Sequence, residues 1–502
     1  HGTLLGMIPE AREHGRPVAK LTKTVAFVIG SVLLFVAVAM ISASLVSTIY
    51  GEYETALGIS VAAGITAGAG YTTRRLVRRP KMITVKEGFA TVGLSWFIFS
   101  LFGALPYLIT GAIPDVTNAI FETASGFTTT GASILIDPSE LDRGISFWRG
   151  MTQWLGGMGV IVLGVAILPL LGTGGMQLAK AESPGPTPDR LTPRFQETAK
   201  RLWIVYVAIT LVEVLMLTLG DMTFFESIIH SMTTMSTGGF GTEPTSIAGF
   251  SAYTQWVITA FMFLAGVSFA LHYRAFSKPV EYARNSEFRL YTLISVVAIV
   301  IVAGGLLADL APGEAIRHAA FNTLALTTTT GYASADFGLW RPALQIFVVG
   351  LMFLGGMAGS TAGGIKTFRI GVLSKAAYAD LRRLVHPKGV FVTRFGGRRV
   401  SEPIVEAVQS YFLFYIFLFM SATFLVAFID ANLTEGLDLV TTTSAVAASI
   451  GNIGPGLGDV GPAANYAGLP GLVKWLLSGL MIVGRLEIFP VLVLFTRDLW
   501  RR

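Results

Sequence analysis

Long apolar runs alternate with short polar stretches along nearly the whole chain. Six uncharged runs exceed the ~20 residues that a helix needs to cross hydrocarbon. They are Thr24–Gly51, Gly88–Pro114, Met151–Ala179, Pro244–Tyr273, Pro342–Ile365 and Ala407–Ile429. Four shorter or interrupted runs occupy Thr55–Thr73, Leu202–Val212 continuing past Glu213, Leu290–Ala308, and Trp475–Thr496, the last broken by Arg485 and Glu487. The pattern predicts an all-α polytopic membrane protein with ten spans. The first run is too long for the apolar core of a signal peptide and reads as a true span.

Between the runs a polar theme recurs, and internal repetition takes precedence over local motifs. The stretches are "FETASGFTTTGAS" (121–133), "FESIIHSMTTMSTGGFG" (225–241), "FNTLALTTTTGYAS" (321–334) and "TTTSAVAASIGNIGPG" (441–456). Aligned on Gly131, Gly238, Gly331 and Gly454, they lie 93 to 123 residues apart, each with one span before and one after. The segment of about ten residues before each glycine is too short to cross, so it dips in and returns. Non-helical backbone at membrane depth is tolerated only where it is buried in protein or lines a water-filled path. The predicted unit is helix, re-entrant segment, helix, four times over, preceded by two extra spans. The boundaries fall at 1–80, 81–180, 181–280, 281–380 and 381–502.

Composition agrees with the pattern. Residues are 52% hydrophobic and 14% charged, where a soluble domain carries about 25% charged residues. No cysteine is present, which excludes disulfides and thiolate metal sites. The net charge of +6 would suggest nucleic acid in a soluble protein, but here its placement is what matters. Basic residues crowd alternate loops: Arg74 to Lys86, Lys180 to Arg201, Arg274 to Arg289, Lys366 to Arg399, and Arg497 to Arg502. The opposite loops hold mostly acids, with Arg143, Arg149, Arg317, Arg341 and Lys474 as exceptions. Positive loops stay cytoplasmic, which places both termini inside and makes a nucleic-acid reading unnecessary.

The threonine–glycine loops suit a dehydrated alkali cation. Backbone carbonyls can replace its water shell, and glycine reaches the positive φ that aims carbonyls at an axis. Neutral oxygens matter, since a ring of carboxylates would favour divalent ions. A short helix ending at each loop would add its negative C-terminal end. The fourth loop lacks the adjacent threonines, and the second doubles its glycine at Gly238–Gly239.

Three further features stand out. In "GGMAGSTAGG" (355–364) five glycines fall within ten residues around Ser360 and Thr361. Each interior glycine costs about 1 kcal/mol against alanine, so the Pro342–Ile365 span is expected to break. The break forms either a mobile loop or a close helix contact through small residues. Arg485 lies deep in a span, where charge is expensive and functional by default; a plain ion pair with another helix is the alternative. Glu213 is expected to make a helix–helix hydrogen bond. Lys366 is equally readable as a gate partner or as the first charge beyond the membrane.

The six histidines (His1, His14, His230, His272, His318 and His386) show no ligand spacing, and no nucleophile motif or phosphate loop occurs, so the chain does not read as an enzyme. His230 and His272 read as hydrogen-bonded helix-packing residues.

Several motifs then carry a specific resemblance: "SGFTTTGAS", "QWLGGMGVIVL" (153–163), "STGGFGT" (236–242), "FALHYR" (269–274), "TTTTGY" (327–332), "GGMAGSTAGGIKTFR" (355–369), "GNIGPGLG" (451–458) and "GRLEIFP" (484–490). From about residue 85 onward the chain resembles the TrkH/Trk-type potassium transporter family, whose relatives include KtrB and the plant and fungal Trk/HKT proteins. The length and the two added helices are more similar to TrkH than to the shorter KtrB.

The resemblance implies a potassium-channel-like pseudo-tetramer in one chain, with filter glycines Gly131, Gly238, Gly331 and Gly454. The expected ion-binding set adds Thr129, Thr130, Thr237, Thr330 and Ile453. It implies an intramembrane gate at Gly355, Gly356, Gly359, Ser360, Thr361, Gly363, Gly364 and Lys366, and a pore-facing electrostatic barrier at Arg485. A serine at the first filter position goes with sodium preference in the family, so Gly131 points to K+ as the transported ion. No organic cofactor is expected in this chain. The expected partners are a second copy, in a homodimer, and cytosolic RCK-type nucleotide-binding subunits (TrkA-like). The expected location is the prokaryotic inner (plasma) membrane. A proton- or sodium-coupled symporter remains the alternative, weakened by the scarcity of intramembrane acids.

Overall fold

The computed structural model describes residues 17–77, 85–167, 191–433 and 436–497. The basic stretches at 78–81 and 180–190, the boundaries at 80 and 180, the end of the span predicted to Ala179, Glu435 and the terminal Arg501 and Arg502 lie outside them. The described residues are mostly helical.

Two helices, α1 (Pro17–Ile49) and α2 (Tyr53–Arg75), form an antiparallel pair packed along their length. Their backbones touch at Gly30 and Gly70, where a Cβ on either would sit 2.8 Å from the other's carbonyl oxygen. One order of elements then recurs four times: long helix, short buried helix of 12 to 16 residues, irregular loop, second helix. The first pass runs α3 (Val85–Gly103) with the short α4 (Leu105–Thr110), α5 (Val116–Phe127) and α6 (Arg143–Ile167). The second runs α7 (Leu191–Thr218), α8 (Phe224–Met235), α9 (Ala252–Ala265), α10 (Phe269–Ser277) and α11 (Val280–Arg284). The third runs α12 (Ser286–Leu306), α13 (Pro312–Thr327), α14 (Pro342–Leu351) and α15 (Thr367–Val385). A hairpin of β1 (Arg394–Phe395) and β2 (Arg398–Arg399) follows. The fourth runs α16 (Glu402–Leu433), α17 (Leu439–Gly451), α18 (Gly471–Arg485) and α19 (Phe489–Leu492).

Each short helix has a local reason to start where it does. Asp115 and Asp438 accept backbone N–H bonds from Asn118 and Thr441, and Thr223 with Glu226 closes a reciprocal capping box. α13 begins instead at Pro312, whose missing N–H costs nothing in a first turn. The burial is the reverse of a soluble protein's. Residues Ala119–Phe127 of α5 are all buried, whereas only 22% of the most apolar stretch of α16 is. Leu413, Phe417, Met420 and Phe424 on α16 face outward. An exposed apolar belt of that extent marks a surface made for lipid.

All ten predicted spans contain helix, but they are not all straight. Among the described residues five helices are long and apolar enough to cross a membrane, or seven if each bent pair counts once. The expectation of an unbroken Pro244–Tyr273 is corrected: helix starts at Ala252, and α9 and α10 meet at 99°. The break is stitched to another segment, with Met357 donating to the Gly266 carbonyl and Phe269 to that of Gly359. The last span is likewise bent by 115° between α18 and the Phe489–Phe495 stretch, through Glu487 and Ile488 at positive φ. α14 stops after ten residues, which is where the glycine-rich run predicts a break.

Candidate functional site

The four short helices end alike. After each, one residue turns into the left-handed region: Thr129, Thr237, Thr329 and Asn452, with φ between 52° and 59°. A β-branched residue there costs about 1–2 kcal/mol, so the surrounding structure has to impose it. The following N–H in each loop reaches five residues back into its helix: Thr130 to Ser125, Gly238 to Thr233, Thr330 to Ala325 and Ile453 to Ala448, all at 2.8 Å. Two residues after each left-handed turn sits a glycine at positive φ: Gly131, Gly239, Gly331 and Gly454. The alignment on Gly238 is therefore corrected by one residue. Gly238 is the counterpart of Thr130, Thr330 and Ile453, and Thr237 matches Thr129 rather than Thr130.

These glycines close a ring. A Cβ built on Gly131 would fall within 3.0 Å of the Gly238 carbonyl oxygen, and one on Gly239 within that distance of Thr330 O. Gly331 faces Ile453 O in the same way, and Gly454 faces Thr130 O. Each loop thus abuts the next, and the fourth returns to the first. All four glycines line one cavity of about 180 Å³. The C-terminal ends of four helices, each carrying partial negative charge, converge on the same ring.

The loops are braced in two ways. In the first and third, hydroxyls bond within the loop: Thr128 to Thr130 at 2.7 Å, and Thr328 to Thr330 at 2.8 Å. The second relies on a side chain from elsewhere, and the fourth on Tyr466 further along the chain and on its own Asn452. Gln153 of α6 donates to the Gly238 carbonyl (2.7 Å) and accepts from Phe240 N–H (3.1 Å). Tyr466 donates to the Gly454 carbonyl (2.7 Å), while Asn452 donates to Thr130 Oγ1 and to the Met481 carbonyl. Behind the first two loops lies a buried ion pair, Arg149 Nε to Glu122 Oε1 at 2.7 Å. Arg149 also donates to the Gly241 carbonyl and Ser133 Oγ, with its guanidinium 3.6 Å from the Phe240 ring centroid. His230 joins the second loop to the third, its ring nitrogens bonded to Tyr332 and Thr242. His272 is bonded to Tyr282 and the Leu264 carbonyl.

Under the ring runs the non-helical stretch 352–366. A single parallel bridge, Leu354 to Ile365, makes it a loop, with Gly359 and Gly364 at positive φ. Thr361 donates to the Met235 and Ala265 carbonyls, and Gly363 N–H donates to Thr329 Oγ1 at 2.6 Å. The loop therefore touches the ends of α8 and α9 and the left-handed turn of the third loop. Lys366 is buried and donates back to the Ala362 carbonyl, so its charge lies inside this segment. Arg485 is 3% exposed and donates to the Thr361 carbonyl at 2.6 Å. Its neighbour Glu487 pairs with Arg369 of α15.

One expectation fails here. Glu213 on α7 is fully buried, and its carboxyl oxygens have no hydrogen-bond partner among the described residues. It lies beside the Thr234 hydroxyl of α8, which is likewise without a partner there.

The chain matches the family model of TrkH, described as cation transport protein, over residues 57–501. It is 38% identical over 485 residues to the Trk system potassium uptake protein TrkH of Halomonas elongata, covering 95% of this chain and 98% of that one. It is 39% identical over 425 residues to the protein of the same name from Escherichia coli, covering 83% and 86%. Among solved structures it is similar to the crystal structure of the potassium transporter TrkH from Vibrio parahaemolyticus. That similarity has a TM-score of 0.87 at 34% identity, covering 95% of this chain and 99% of that one.

Proposed function

The chain belongs to the TrkH family of cation transport proteins, and from that premise we propose that it takes up potassium across a membrane through a gated filter lined by backbone carbonyls. The observation that carries the reading is the closed ring of Gly131, Gly239, Gly331 and Gly454 against the carbonyls of Gly238, Thr330, Ile453 and Thr130. A dehydrated K+ exchanges its water for such neutral oxygens, and the four helix ends favour a cation there. A glycine, not a serine, at position 131 supports potassium over sodium.

Passage beyond the ring requires the 352–366 segment to move. In this reading Gly355, Gly356, Gly359, Ser360, Thr361, Gly363, Gly364 and Lys366 form the gate. Arg485 sets an electrostatic barrier below the filter and holds the gate through the Thr361 carbonyl. The chain acts as the membrane subunit of a Trk-type system, as a homodimer in the prokaryotic inner membrane with both termini cytoplasmic. A cytosolic RCK-type nucleotide-binding subunit supplies the opening signal. One observation favours the coupled-symport alternative, the buried, unbonded carboxyl of Glu213 beside the second short helix.

Rubidium-tracer uptake into liposomes separates the two readings. Uptake driven by the tracer's own gradient, and competed by potassium far more than by sodium, is the expected result. Uptake that appears only with an added proton or sodium gradient would replace the pore with a symporter.

A further inference from the structure

At the end of the molecule opposite the glycine ring lies a second, larger cavity of about 560 Å³. Its position follows from α12, which starts in the cavity wall at Ser286 and runs 21 residues, about 31 Å, before the chain turns into α13. Four arginines line it: Arg274 on α10, Arg284 on α11, and Arg398 and Arg399 on β2. None of the four has an ion-pair partner within 4.0 Å among the described residues, and Arg274 Nε is buried with no acceptor. Of the two acids in the wall, Glu281 makes no ion pair among the described residues, and Glu287 is committed to backbone. Glu287 Oε1 accepts from Ala358 N–H (2.8 Å), inside the gate segment, and from Phe368 N–H (3.1 Å), just after it.

Ordinary loop charge accounts for arginines on this side of the protein but not for four converging on one concavity. Guanidinium forks match phosphate oxygens in geometry and charge, and a cavity of this size falls in the range that holds a small organic ligand. We propose that the cavity binds a phosphate-bearing anion, a soluble phosphate compound of up to nucleotide size or a lipid headgroup. Occupancy bridges α10 and α11 to the β hairpin. The hairpin packs on the gate's following helix through Phe395 against Phe368, ring centroids 5.4 Å apart. His272 and Tyr282 already tie α10 to α11, so the far side of the bridge is fixed. The bound anion therefore holds the 352–366 segment in the position seen here and slows transport. This last step rests on the gate reading given above; the binding step does not.

The test is calorimetric titration of the detergent-solubilised full chain with inorganic pyrophosphate. Saturable binding is expected, weakened at least tenfold in Arg398→Gln/Arg399→Gln and unchanged in Arg382→Gln, an arginine that does not line the cavity. The double substitution falls on exposed residues of a surface hairpin, and an unaltered unfolding midpoint checks that it folds. No saturable heat, or equal affinity in wild type and double variant, overturns the site. Repeating the titration in phosphatidylcholine vesicles with and without phosphatidylglycerol distinguishes the sources. Competition by the anionic lipid assigns the site to a headgroup, and its absence assigns it to a soluble anion. Rubidium uptake slowed by pyrophosphate in wild type but not in the double variant supports the link to the gate. Binding with unchanged uptake overturns that link alone, and absent uptake under every condition would instead strike the transport reading.

Discussion

The first and third loops of the ring share a sequence; the second and fourth do not, yet all four share a backbone. "TTTG" and "TTTTG" carry their own braces, a pair of threonine hydroxyls bonded within the loop. The second borrows its brace from Gln153 on α6 and the fourth from Tyr466, while the fourth loop's own Asn452 reaches across to Thr130 of the first. The left-handed turn, the five-residue reach of the next N–H and the positive-φ glycine are nonetheless the same in each. A fourfold backbone can thus be kept while the side chains that hold it are exchanged. The consequence is unequal vulnerability, since the borrowed braces come from outside the loops they hold.

The largest effect is expected behind the first two loops. Arg149→Met leaves Glu122 buried without its cation, a loss of about 3–5 kcal/mol in such pairs. A marked drop in the unfolding midpoint of the purified protein is the expected result; an unchanged midpoint would show that the ion pair does not hold these loops.

The next substitution tests the register itself. Gly239→Ser places a side chain against a backbone carbonyl, Thr330 O, at a φ of 78°, so no compensating change relieves it. Gly238→Ser meets the Gln153 side chain, a flexible group that can shift, rather than backbone. Potassium-over-sodium competition for rubidium uptake should be lost in Gly239→Ser and reduced less in Gly238→Ser. A greater loss in the Gly238 variant than in the Gly239 variant would return the filter glycine to Gly238.

The borrowed and local braces can then be compared directly. Gln153→Leu strands the Gly238 carbonyl and Phe240 N–H, at about 1–3 kcal/mol for unsatisfied buried groups. Thr328→Val removes a hydroxyl bonded to Thr330 and to the Leu324 carbonyl from a loop that keeps its backbone bonds, at about 0.5–1.5 kcal/mol. Selectivity should therefore fall further in the glutamine variant than in the threonine variant. The reverse order would remove the distinction between the two kinds of loop.

This contrast also explains what could be read from the sequence. Gly131 and Gly331 are legible because the threonines repeat, and Gly454 because one glycine in "GNIGPG" keeps the spacing. The doubled glycine of the second loop offers two candidates, and only the left-handed turn at Thr237 decides between them. Glycine crowding at 355–364 predicts the broken helix, since propensity there is local. The braces are different in kind: Gln153 lies 85 residues from Gly238 and Asn452 lies 322 from Thr130. Arg149 left a trace, as an arginine intruding among acidic loops, and its buried partner gives the reason. The 99° bend at Gly266 left none, because its carbonyl is held by Met357 in another repeat.

The central claim is that the ring of four loops coordinates a dehydrated potassium-like ion. Anomalous diffraction from crystals of the full chain soaked in rubidium tests it without recourse to flux. The account predicts an anomalous peak on the axis of the ring, among the carbonyls of Thr130, Gly238, Thr330 and Ile453, lost in Gly239→Ser. Rubidium bound only elsewhere, with an empty ring, would contradict it.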